Sequence, residues 1–184
     1  MIQQTLKLIA GKLNDQFQNL WQNMSDTVIL APVTAPEGSI PDANLNKVLV
    51  TVVNIENETR MSTYTAQAAG AATYAVIAPP LYIDLNVLYS ANFSDYSEAL
   101  KAITETISFF QRNPAFTTET LPGLDPAIDK LSFELQNLSL TDLNQLWSIH
   151  GGHYLPSVVY KIRLFPFSSA VMTPKIPAVQ NINP

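Results

Sequence analysis

The sequence predicts an α+β fold: a single domain with a mixed or antiparallel sheet of about five strands, packed with an N-terminal helix and two further helices. Three observations carry that prediction. Leu81, Ile83, Leu85 and Val87 alternate with Tyr82, Asp84 and Asn86, the period of a strand, and an amphipathic run over residues 94–112 follows at once. Residues 47–56 set Val48, Val50 and Val52 on one face and Leu49, Val53 and Ile55 on the other, as a central strand covered twice would. Leu146-Trp147 precedes a further strand-like run over residues 157–167. Strands and helices mix without βαβ regularity, the pattern of an α+β domain.

From the N-terminus, Ile2, Leu6, Ile9, Leu13, Phe17 and Leu20 recur at steps of three and four and predict a helix over residues 2–21, closed by Trp21. Residues 27–31 read as a short buried strand ended by Pro32. Pro32, Pro36, Gly38 and Pro41 make residues 32–45 a loop. Residues 57–78 begin polar, show no clear period and read as a hairpin loop or an arm. Ser94 is the expected N-cap of the second helix, whose buried stripe would be Tyr96, Leu100, Ile103, Ile107 and Phe110, with Pro114 as its stop. Residues 130–138 read as a strand with Leu131, Phe133 and Leu135 inward. A short helix follows, capped by Thr141 and stopped by Gly151-Gly152. The last strand would set Val158, Tyr160, Ile162 and Leu164 on its inner row. Pro174, Pro177 and Pro184 make residues 169–184 an extended tail behind a domain of residues 1–168.

Composition bounds the function. Only 14% of the 184 residues are charged, against 47% apolar. Soluble domains carry about 25% charge, so part of this surface is either wetted by neutral polar residues or covered by neighbours. Ten basic against fifteen acidic residues, net −5 and with no basic run, argue against a nucleic-acid binder, because phosphate contacts need clustered Lys and Arg. Cysteine is absent, which removes disulfide scaffolds, thiolate metal sites and thiol nucleophiles. Residues 1–7 lack the basic start and apolar stretch of a signal peptide, and no window approaches the roughly 20 apolar residues of a membrane span. The expectation is a chain made and folded in the cytoplasm, with no direct membrane insertion.

No constellation points to catalysis. His150 and His153 flank two glycines; two imidazoles need a third ligand and a fixed backbone to hold a metal, and a helix C-cap followed by a turn accounts for them. Asp84 sits among apolar neighbours, where a buried carboxylate could act as a base, but its alternation with Tyr82 and Asn86 turns it toward solvent or a partner. Asp125 and Asp129 read as the polar face of a turn, and Glu105 and Glu119 have no partner pattern. Six glycines form no phosphate loop, and no serine sits in a nucleophile elbow. The expectation is no enzyme, no cofactor and no metal. The seven tyrosines (64, 74, 82, 89, 96, 154 and 160) suit protein contacts instead, because tyrosine offers area at low entropy cost. Tyr89, Tyr96 and Tyr160 read as ordinary packing residues.

Taken in order, several stretches are similar to a known family: the N-terminal amphipathic helix, residues 46–57 with Arg60 behind them, Pro80-Leu81 opening its strand, Asn113-Pro114, residues 131–138, Leu146-Trp147 and Pro156-Ser157-Val158-Val159-Tyr160. Over residues 1–168 the chain resembles the cap, or tail-terminator, proteins of contractile injection systems, the phage-tail-like particles of antifeeding-prophage type. The resemblance implies a structural role: a six-fold ring, a homo-hexamer, seated on the last layer of sheath and inner tube, stopping their growth and holding the sheath extended. Its implied partners are further copies of itself, the sheath protein and the inner tube protein, and the particle is released or membrane-anchored. A baseplate or adaptor component of the same particle, or a phage tail terminator joining a head, is the alternative. Candidate contact residues are Arg60, Tyr64, Tyr74, Tyr82, Lys175 and Ile176, in residues 57–78, in the following strand and in the tail.

Overall fold

Ile2, Leu6, Ile9, Leu13 and Phe17 do share one face of a helix, α1 (Ile2–Trp21), and Leu6, Ile9, Leu13 and Phe17 are buried. The computed structural model describes residues 1–21, 26–58, 67–70, 73–76, 81–167 and 176–177. After α1 come β1 (Val28–Leu30), β2 (Lys47–Asn57), β3 (Gln67–Gly70), β4 (Thr73–Val76), β5 (Leu81–Asn92), α2 (Tyr96–Arg112), β6 (Ala115–Phe116), β7 (Leu131–Gln136), α3 (Leu140–Ile149), β8 (Ser157–Phe167) and β9 (Ile176–Pro177). Six strands form one mixed sheet in the order β1-β2-β5-β8-β7-β6, in which only β1 and β2 run parallel. The strand beyond the predicted five is β6, whose two residues are too few to show a period. A second sheet, β3-β4-β9, unites the arm and tail segments.

One face of the large sheet carries the main core. Val48 and Val50 of β2, Leu85, Val87 and Tyr89 of β5, and Tyr160 and Ile162 of β8 pack under α1 and α2. The opposite face carries a smaller cluster, where Leu49, Leu88 and Val159 meet Trp147 of α3 and Val33. β2 is therefore covered twice, as its sequence demands, over its first half only. An extra residue at Val53 then shifts the register between Val52 and Asn54. The bulge reverses the alternation, so Ile55 stands opposite Leu85 on the main-core side instead of following Leu49 and Val53. β8 has a matching irregularity: Phe165, not Leu164, pairs with Ile83.

Other expectations are corrected by packing. α2 buries Ala99, Ala102, Ile103, Thr106, Phe109 and Phe110, leaving Tyr96 62% exposed and Leu100 exposed. The small residues let the helix backbone approach the sheet, which turns the larger Tyr96 and Leu100 outward; Tyr96 is no packing residue. Asp95, not Ser94, is the N-cap, accepting from the Ser97 amide at 2.7 Å. In β7, Leu131 is buried and Phe133 half-buried, but Leu135 is exposed: β6 pairs with Leu131 and Ser132 alone, which leaves the later residues of β7 on the edge of the sheet. α3 is capped by Ser139 and not Thr141: Ser139 Oγ accepts from the Asp142 amide at 3.2 Å, and Asp142 Oδ2 accepts from the Ser139 amide at 3.3 Å. Only Ser139 has an acid three positions on to return the second bond. Ser139→Ala is expected to cost about 1 kcal/mol in urea unfolding while Thr141→Ala stays within about 0.5 kcal/mol. Equal costs would contradict this assignment of the cap.

Candidate functional site

Antiparallel strands of 11, 12 and 11 residues, β2, β5 and β8, run on past the helices that cover their other ends. This is the end to which residues 58–80 and those after 167 connect. On the main-core side it exposes two large apolar side chains, Ile55 at 55% and Leu81 at 48%. Ile55 pairs with Leu85, and Leu81 stands two and four positions before Ile83 and Leu85 in the same strand, so both point to one face.

The other side of the same end holds a lattice of charges. Lys161 Nζ lies 2.6 Å from Glu56 Oε2 and 3.4 Å from Asp84 Oδ2. Asn54 and Asn86 donate their amides to Glu56 Oε1 at 3.0 and 2.6 Å. Arg163 Nη2 donates to Glu134 Oε2 at 2.6 Å, and its Nη1 lies 3.2 Å from Glu58 Oε2. The pattern follows from alternation: Glu56 and Glu58 at the end of β2, Asp84 and Asn86 in β5, and Lys161 and Arg163 in β8 are each two apart. The Lys161 ammonium holds the Glu56 carboxyl below its usual range, and that carboxylate raises Lys161 in turn. The hydrogen bond to Glu134 raises Arg163. Among the described residues, four carboxylates against two cations leave this lattice net negative by two.

Asp84 is thus 2% exposed and set beside Lys161 rather than turned to solvent. His150 is the C-cap of α3, its ring 5.9 Å from Trp147 and its pKa lowered by burial; His153 is exposed on the turn beyond. Gly151 and Gly152 take φ of 72° and 75°, and the Gly152 amide donates to the Trp147 carbonyl at 2.8 Å, closing the helix. Among the described residues, no group of three His, Cys, Asp or Glu side chains is placed to hold a metal ion, and no helix is long and apolar enough to cross a membrane.

Of the six candidate contact residues, Tyr82 is half-buried in β5, two positions from Asp84 on the charged side. Tyr74 of β4 and Ile176 of β9 stand opposite each other in the small sheet. Arg60, Tyr64 and Lys175 lie outside the described residues. Ile55 and Leu81 were not singled out from sequence, because the bulge that decides the side of Ile55 has no residue signature.

A family profile, the Pvc16 N-terminal domain, matches residues 4–181. The chain belongs to the Pvc16 N-terminal domain family. Two solved structures share the fold of this Pvc16-family domain. The sheath/tube terminator of PVC, an extracellular contractile injection system, in its extended state, matches with a TM-score of 0.57 at 13% identity. The alignment covers 95% of this chain and 60% of that one. The tube-terminating cap of the anti-feeding prophage gives 0.55, also at 13% identity, over 84% of this chain and 54% of the other. The Pvc16-family domain therefore spans little more than half the length of either. No curated protein sequence matches the chain.

Proposed function

We propose that this domain is a structural cap that terminates the sheath and inner tube of a contractile, phage-tail-like injection particle. In this reading it assembles in the cytoplasm as a ring, a hexamer, on the last layer, and keeps the sheath extended. It acts by assembly and not by turnover. The observation that carries the proposal is the family match over residues 4–181, supported by the same fold in two terminators.

The physics of the domain supports it. A terminator must bind one polymer end and offer the next layer nothing to extend. The large sheet ends in strands of three and two residues, β1 and β6, which blunt its edges against strand addition. The shared end of β2, β5 and β8 carries exposed apolar side chains on one side and a polar lattice on the other, and protein contacts use both kinds of surface. A closed ring needs head-to-tail contact between two different patches.

Light scattering of the protein, with and without sheath and tube proteins, tests the proposal. A hexamer alone, or one formed on tube ends, is expected; a monomer indifferent to both overturns it. Ile55→Asp combined with Leu81→Asp is expected to abolish docking at least tenfold. It should leave unfolding within about 1 kcal/mol of the parent, since both side chains are already about half in water. Unchanged docking would remove these side chains from the contact.

A further inference from the structure

The two segments that leave the body meet each other. β4 pairs antiparallel with β3 on one side and with β9 on the other, Tyr74 opposite Ile176 and Thr73 opposite Pro177. None of these three strands belongs to the six-stranded sheet. The β4–β9 ladder is two residue pairs long, and Pro177 has no amide to give it. This ladder, no longer than that of β6 on β7, is what ties the described strand after β8 to its own chain, so it is among the first to open.

Eight residues, 168–175, connect the end of β8 to β9. Fully extended, they let β9 reach up to about 30 Å from Phe167 without disturbing the β8 ladder. A hairpin that accepts a strand and a tail that supplies one are two different patches of one chain, which is the form of contact that a head-to-tail ring requires. Exchange loses no contact, because the neighbour's hairpin offers β9 an identical register. Neighbours held in a ring also supply that hairpin at high local concentration.

We propose that in the assembled cap β9 is exchanged, Ile176 and Pro177 of one copy pairing with Tyr74 and Thr73 of the next. This rests on the ring reading above and names the element that closes it. Each copy then gives one strand and takes one, so every joint of the ring is clasped once.

The chain has no cysteine, so introduced thiols report this joint alone. Residues directly opposite in an antiparallel pair have Cβ atoms about 4.5–5.5 Å apart, close enough for a disulfide with slight adjustment. The experiment oxidises Tyr74→Cys/Ile176→Cys caps assembled on tube ends, after their mass has been read by light scattering, and runs them unreduced on a denaturing gel. Thr73→Cys/Pro177→Cys serves as a second pair. Exchange is expected to give covalent multimers up to ring size. It should also give a mixed dimer when differently tagged Tyr74→Cys and Ile176→Cys chains are co-assembled. Ring mass with only internally bridged monomers on the gel overturns the exchange and leaves the cap reading standing. Monomer mass throughout overturns both, and failure of either pair to oxidise in assembled rings overturns the β4–β9 register itself.

Discussion

Phe110→Ala is expected to destabilise the domain by about 3–5 kcal/mol, the range for truncating a buried aromatic. Phe110 is 2% exposed, and its ring lies 4.5 Å from Tyr160, 4.7 Å from Phe133, 5.0 Å from Tyr89 and 5.1 Å from Phe109, measured between centroids. Those partners belong to β8, β7, β5 and α2, so one side chain ties three strands of the sheet to the helix above them. Alanine there opens a cavity that four rings cannot collapse into, since each is held by its own backbone. At roughly 2–4 °C per kcal/mol for a domain of this size, the midpoint of thermal unfolding should fall by about 10 °C. Phe110→Leu should recover more than half of the loss. Leu140→Ala, at a site 85% exposed, should change nothing beyond about 0.5 kcal/mol. A loss below about 1 kcal/mol for Phe110→Ala would mean that α2 does not pack as described.

Much of this architecture was legible because long periodic runs leave few options. The apolar runs over residues 2–21 and 157–167 have the same boundaries as α1 and β8. What failed was local and had local causes. The stripe of α2 was misplaced because alanine weighs little in a hydrophobicity count, yet Ala99 and Ala102 mark where the helix comes closest to the sheet. Alternation alone puts Ile55 on the wrong side, because a one-residue bulge inverts every later position and needs no particular side chain. The charged lattice could have been found: Glu56 and Glu58, and Lys161 and Arg163, are like-charged pairs two apart in strands, which puts each pair on one face. That they share a face needed the strand order, which periodicity does not give. The β4–β9 pairing was out of reach for a similar reason, since two short segments from distant parts of the chain carry no mark of each other.

Lys161→Met is the second large effect, and pH resolves it from ordinary packing loss. Removing one partner of a buried ion pair costs about 3–5 kcal/mol. Lys161 keeps 19% of its side-chain surface in water, so about 2–3 kcal/mol at pH 7 is expected, with Asp84 still at 2% exposure. The sign with pH follows from the two shifts. Glu56 is depressed below its ordinary 4.5 chiefly by the Lys161 hydrogen bond, so its stabilisation is present above that value and is lost as pH falls through the folded pKa. Lys161 is raised above 10.5 by Glu56, so its own share persists up to that value and is lost as pH rises through the folded pKa. Between these flanks the parent stability is flat with respect to this pair. In Lys161→Met the largest cause of the Glu56 shift is gone, so stability should fall less steeply than in the parent as pH drops below about 4.5. Urea unfolding at intervals from pH 7 to 3 measures both quantities, and an unchanged acid slope would show that Lys161 contributes by packing its stem rather than by its charge. The consequence reaches beyond stability, because Arg163 in the same lattice holds Glu58, and the Glu58 amide donates to the Tyr82 carbonyl at 2.9 Å. The charges thus fix the end of β2 against β5 and β8 where the arm departs. A looser lattice should weaken tube-end docking even under conditions in which the Lys161→Met domain is still fully folded.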